Sequence, residues 1–178
     1  MEISTNKNDG YVEWNNGDQT VRIAQSGIVY AYPHGRKAVM IISAFEGTNA
    51  YAKYNLHGDL ILRYNENSRQ MDTFKGPITF GDNIRAADYD ESNRSYVLML
   101  DENGHNSVVF LREDNLEVVN KLEVPSYFKA VSLKNIDGMI SVVLRAMTDE
   151  ECDKYGRSDW RFKINYSEGI LVKDGITM

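Results

Sequence analysis

Three histidines, one cysteine and 26 Asp+Glu are the side chains of this 178-residue chain with the chemistry to hold a metal, attack a carbonyl or move a proton. His34, His57 and His105 each stand beside glycine or asparagine, in stretches that read as turns. They fall in three different kinds of turn, whereas zinc needs ligands converging to about 2.0–2.3 Å, so no metal is expected. Cys152 lies in Asp149-Glu150-Glu151-Cys152-Asp153. Flanking carboxylates favour the neutral thiol, the opposite of what activates a cysteine nucleophile. The run Asp88-Tyr-Asp90-Glu91-Ser-Asn93 alternates acidic and amide oxygens like a calcium loop. A loop of the EF-hand type needs glycine sixth and glutamate twelfth, and here those places hold Asn93 and Met99. The run therefore reads as a turn in which Asp and Asn cap their own backbone. Glycoside hydrolysis needs two carboxylates about 5–10 Å apart across a groove, and no spacing singles out such a pair. The expectation is a protein that is not an enzyme and needs no cofactor.

One stretch carries an interface chemistry instead. Thr148 to Asp159 reads Thr-Asp-Glu-Glu-Cys-Asp-Lys-Tyr-Gly-Arg-Ser-Asp and runs into Trp160. Asp149, Glu150, Glu151 and Asp153 supply charge that steers a partner, and Tyr155 and Trp160 supply aromatic anchors. Long loops on a rigid β scaffold are frequent sites of function. These six residues are the candidate partner-binding set. Trp160 carries a second expectation, because it stands where a strand begins and is placed to point into the core.

Charge narrows the partner. Twenty Lys+Arg against 26 Asp+Glu leave a formal net charge of −6. Nucleic-acid binders present a basic patch, and the nearest approach here is Arg36-Lys37, so no nucleic-acid partner is expected. An acidic surface also repels anionic membranes and attracts basic proteins. The N-terminal Met-Glu-Ile-Ser-Thr-Asn-Lys-Asn-Asp-Gly has no apolar stretch of the secretory kind, and Ala38–Ala44 is far too short to cross a bilayer. A cytoplasmic protein with no membrane partner is expected. A single cysteine rules out an internal disulfide.

The elements that must position these residues are strands. Bursts of Tyr, Val and Ile, many of them alternating, are separated by turn signals at Asn16-Gly17, His34-Gly35, His57-Gly58, Asn103-Gly104, Asp137-Gly138 and Glu168-Gly169. No long stretch has helical period. The bursts group in fours: Gly27–Tyr32, Lys37–Phe45, Ala50–Asn55 and Asp59–Tyr64; then Ile84–Tyr89, Ser95–Leu100, Ser107–Arg112 and Leu116–Glu123; then Phe128–Leu133, Met139–Met147, Trp160–Tyr166 and Gly169–Lys173. In Leu116–Glu123 the alternation sets Leu116, Val118 and Leu122 on one face. Asn65 to Asn83 is irregular apart from a strand at Pro77–Phe80, and reads as cover for a sheet edge. Tyr11–Trp14 and Thr20–Ala24 lead the chain.

Each group is a four-stranded meander and is similar to a β-propeller blade, without the Trp-Asp, kelch or Asp-box signatures. At about 44 residues per blade the chain holds about four. Residues 1–178 are thus expected to form a single all-β domain of antiparallel four-stranded meanders, small and β-propeller-like; a β-sandwich or irregular barrel is the alternative. The function expected is a non-catalytic protein-binding module that takes a basic partner. Its size and charge are similar to those of the acidic immunity proteins that neutralise bacterial toxins, and the partner is then a toxin domain. The alternative is a carbohydrate- or small-ligand-binding or processing protein, with its 11 tyrosines and 2 tryptophans as stacking platforms.

Overall fold

The computed structural model describes residues 1–177, which group into two compact units, Met1–Gly81 and a second beginning at Asp82. Both are all-β. Among the described residues four antiparallel sheets hold every strand, each sheet is open, and none closes into a barrel. The one helical element among the described residues is a 3-10 turn, Asp149–Glu151.

In the first unit, β1 (Ile3–Asn6), β2 (Tyr11–Asn15) and β3 (Thr20–Ala24) form a three-stranded sheet. A six-stranded meander follows: β4 (Ile28–Pro33), β5 (Ala38–Phe45), β6 (Thr48–Asn55), β7 (Leu60–Asn65), β8 (Gln70–Thr73) and β9 (Gly76–Thr79). Val12, Trp14 and Val21 from the small sheet pack on Ile28, Val39, Ile41, Ala52 and Tyr54 of the large one. Burying several such side chains at about 1.5–3 kcal/mol each is what holds the two sheets face to face. The Trp14 indole N–H donates to the Leu56 carbonyl at 2.9 Å, so its polar end is satisfied at the sheet margin. The two sheets are joined through Gly27 at φ 64°, where a Cβ would stand 2.5 Å from the Ala44 carbonyl oxygen. Only glycine fits that approach.

The second unit holds two four-stranded meanders, as the strand grouping predicts. One is β10 (Asn83–Asp90), β11 (Ser95–Glu102), β12 (His105–Arg112) and β13 (Val118–Glu123); the other is β14 (Phe128–Ile136), β15 (Met139–Ala146), β16 (Asp159–Asn165) and β17 (Ile170–Ile176). Ser95–Leu100 and Ser107–Arg112 pair antiparallel, from Ser95↔Arg112 to Leu100↔Ser107. Val97, Met99, Val108, Phe110 and Leu122 pack on Ile140, Val142, Leu144 and Phe162. The tight hairpins are two-residue turns with both positions at positive φ, at Asn103-Gly104 (52°, 92°) and Asp137-Gly138 (53°, 87°). That geometry matches the right-handed twist of the flanking strands and explains the Asn-Gly and Asp-Gly pairs.

The strands depart from the sequence reading at three places. Ile3–Asn6 is a strand, though nothing in its polar sequence signals one; it is made by pairing with β2, from Ile3↔Trp14 to Asn6↔Tyr11. Within Asn65 to Asn83 the strand expected at Pro77–Phe80 is β9, but β8 before it was not expected, and together the two extend the sheet. Val118 is not on the face of Leu122. A register shift in the β12–β13 ladder pairs Phe110 with Asn120 but Leu111 with Val118, so the strand flips, and Val118 is 58% exposed.

Candidate functional site

The acidic insertion joins β15 to β16 and is held at both ends. At its base Arg145 grips Asp159 through two contacts of 2.7 and 2.9 Å. The Asp159 carboxyl is held below the usual carboxylate range, first by that guanidinium hydrogen bond. The Ala146 N–H donates to the Ser158 carbonyl at 2.8 Å, and the Met147 N–H to the Tyr127 carbonyl at 2.8 Å.

The first half of the insertion is the 3-10 turn. The Cys152 N–H closes it on the Asp149 carbonyl at 3.1 Å, and the Cys152 thiol rests 3.6 Å from the Thr148 carbonyl oxygen. Glu151 and Trp160 are brought together, with the indole N–H donating to the Glu151 carbonyl at 2.8 Å. Lys173 of β17 completes the group: its ammonium lies 3.7 Å from the centre of the Trp160 ring and 3.3 Å from Glu151 Oε2. Trp160 is half-buried and packs on the core between the two sheets of its unit. It thus acts as the post on which the turn is mounted, not as a free anchor.

The second half is a tight loop built on Asp153. Its carboxylate accepts the Tyr155 and Arg157 backbone N–H groups at 2.9 Å each and the Arg157 guanidinium at 2.6–2.7 Å. Partial enclosure opposes the charge on Asp153, but the Arg157 guanidinium and the two backbone donors prevail and hold the carboxyl below the usual range. The Tyr155 ring stands at the tip, 71% exposed, with Lys154 and Arg157 against it at 4.9 and 5.4 Å.

The six candidate residues therefore divide. Asp153 and Trp160 build the loop, and Glu151 is neutralised by Lys173. Asp149, Glu150 and Tyr155 face outward; no described cation lies within ion-pair distance of the two carboxylates. Met147 and Tyr127 at the base are also exposed and extend the apolar part of this surface. Lys173 and Tyr127 escape a reading of the insertion alone. Lys173 lies on the far strand of the sheet and arrives only through the Phe162↔Lys173 pairing.

Charged side chains are buried at Lys53, Asp88 and Asp90. Asp90 is 1% exposed. Its Oδ1 accepts the Asn93 backbone and side-chain N–H groups at 2.9 and 3.2 Å, which is the self-capped turn expected of that acidic run. Its Oδ2 reaches across to the other sheet of the unit and accepts the Ile140 N–H at 3.2 Å and the Tyr166 hydroxyl at 2.7 Å. Pairing of β15 with β16 begins at Ser141↔Lys163, so the Ile140 N–H lies beyond that ladder and Asp90 satisfies it. Beside this pin is a concavity of about 300 Å³ lined by Ile136, Met139, Ile140 and Ile164, with Arg161 and Lys163 at its margin. Both cations are paired with Asp174.

His34 packs edge-on against Tyr32, and His57 lies 3.4 Å from the Asn16 amide. Among the described residues no group of three or more His, Cys, Asp or Glu side chains is arranged to hold a metal ion, and no buried side-chain polar atom lacks a hydrogen-bond partner. No helix of the described residues is long and apolar enough to cross a membrane. No protein-family model and no curated protein matches the chain.

Proposed function

We propose that the protein is a non-catalytic binding module that captures a basic protein through the Thr148–Asp159 insertion. The observation that carries this is Tyr155, a large aromatic 71% exposed at the tip of a loop pinned by the Asp153 contacts. A preorganised aromatic loses little entropy on binding and suits the centre of an interface. Asp149 and Glu150 in the same insertion carry charge that Lys and Arg of this chain leave unneutralised. They steer a cationic partner and act on the rate of encounter. Met147 and Tyr127 add apolar area at the rim.

The partner class that fits is a basic toxin domain, neutralised in the cytoplasm by an acidic immunity protein whose carboxylates stand in for phosphate. The test starts with capture of the partner from the native host and moves to association kinetics. Reversing Asp149 and Glu150 to lysine slows association and flattens its salt dependence. Tyr155→Ala raises the dissociation rate, at a cost of about 2 kcal/mol or more. Wild-type kinetics in both folded variants would place the interface elsewhere.

A further inference from the structure

A second candidate site lies in the first unit, on residues other than those of the acidic insertion. The inner face of the six-stranded sheet is covered by the small sheet only as far as Val39, Ile41, Ala52 and Tyr54. The same face continues along β5 to Ser43 and Phe45 and across the ladder through Ser43↔Ala50 and Ala50↔Asn65. There the cover stops, and an open groove of about 600 Å³ remains, within the range of small-ligand sites. Its floor is Ser43 and Ala50, small enough to leave the volume free. Gln25 forms one wall, donating from its side chain to the Ser43 hydroxyl at 3.1 Å. Opposite stand Asn65, Gln70 and the Arg63–Asp72 pair, in which the guanidinium donates to one carboxylate oxygen at 2.8 and 3.1 Å. Phe45 closes the end of the groove and is 66% exposed.

The lining selects a ligand by exclusion and by fit. Its only charged side chains, Arg63 and Asp72, neutralise each other, so neither a phosphate nor a polycation has an unmet counter-charge there. The walls are too polar for a lipid chain. Carboxamides, hydroxyls and a guanidinium–carboxylate pair present adjacent donors and acceptors, the complement of vicinal hydroxyl groups. Of the two aromatic residues lining the groove, Tyr64 is buried, and the exposed Phe45 ring takes the apolar C–H face of a pyranose ring. We infer that this groove binds a neutral saccharide, with Phe45 as the stacking platform and Asn65, Gln70 and the Arg63–Asp72 pair holding its hydroxyls.

The probes are neutral disaccharides: cellobiose, maltose, lactose, N,N′-diacetylchitobiose and mannobiose. Each is titrated to about 10 mM, because an open groove of this kind binds near ~1 mM. Saturation-transfer NMR on the full chain detects binding. The expected result is transfer to at least one probe, with affinity falling about fivefold or more in Phe45→Ala and in Asp72→Asn and unchanged in Tyr155→Ala. Should Phe45→Ala melt early, Gln70→Ala replaces it and is judged by the same threshold. No transfer to any probe overturns the inference, and so does a smaller loss in the groove variants. Either outcome leaves the insertion's partner untouched, because the two sites share no residue.

Discussion

Asp90→Ala removes the acceptor of four hydrogen bonds from a side chain that is 1% exposed. Two of the donors belong to the local turn and can turn to water, since Asn93 is exposed. Of the other two donors, the Ile140 N–H is buried and the Tyr166 hydroxyl part-buried. Leaving a buried donor unsatisfied costs about 1–3 kcal/mol, and bonds to a charged acceptor contribute about 1.5–3 kcal/mol each, so the substitution should cost about 3–5 kcal/mol. That is a large share of the roughly 5–15 kcal/mol by which domains are stable. Asp90→Asn keeps the shape, yet its NH₂ must face one of the two donor pairs, and about 2–4 kcal/mol is expected. Tyr166→Phe leaves the carboxylate with three donors and should cost about 1.5–3 kcal/mol. Urea titrations followed by tryptophan fluorescence supply the four free energies of a double-mutant cycle. A coupling of about 1–3 kcal/mol between the two sites is expected. A cost for Asp90→Ala below about 1 kcal/mol, or no coupling, would refute the role given to this pin.

The same pair has a pH signature. Burial, and then the hydrogen bond to Asp90, push the Tyr166 hydroxyl far above the ordinary tyrosine value. The folded state therefore keeps a proton that the unfolded chain loses near pH ~10. The stabilisation is complete below that pH and is lost as pH rises above it. Tyr166→Phe should flatten the fall. Tyr89, pushed up to about 12 by burial and then by Glu113, contributes a slope of the same sign that survives in the variant.

The other predictions concern the loop and the link between the sheets of the first unit. Trp160→Phe keeps most of the buried area but strands the Glu151 carbonyl and weakens the seat of Lys173. It should cost about 1–2 kcal/mol, and hydrogen exchange at the Cys152 amide should quicken while exchange in β11 does not; uniform change would deny Trp160 its mounting role. Tyr155→Ala should leave the melting temperature within about 2 °C of wild type, because nothing in the core depends on the ring. Gly27→Ala forces a methyl to within 2.5 Å of the Ala44 carbonyl at positive φ, and should destabilise by about 2 kcal/mol or more in thermal melts. A neutral result would mean that the β3–β4 link can relax.

Much of the fold was legible because strands advertise themselves locally. Alternation marks which residues face the core, and Asn103-Gly104 and Asp137-Gly138 specify two-residue hairpins by their own backbone preferences. The meanders of the second unit follow from those signals alone. The insertion was equally visible, as an acidic and aromatic break in the repeat. What escaped depends on pairing between distant segments. Ile3–Asn6 becomes a strand only because β2 offers it an edge, and Val118 turns outward because the ladder with β12 shifts register. Lys173, 22 residues from Glu151, meets it through the β16–β17 ladder and removes one of the insertion's charges. Asp90 reads as a turn residue from its neighbours, and half of it is; its other oxygen is claimed by Tyr166, 76 residues away. The polar groove has no sequence signature, since it exists where one sheet outreaches the other. Local chemistry sets the elements and the faces they prefer; which charges stay free, and which polar atoms are pinned, depends on contacts that only the folded chain brings together.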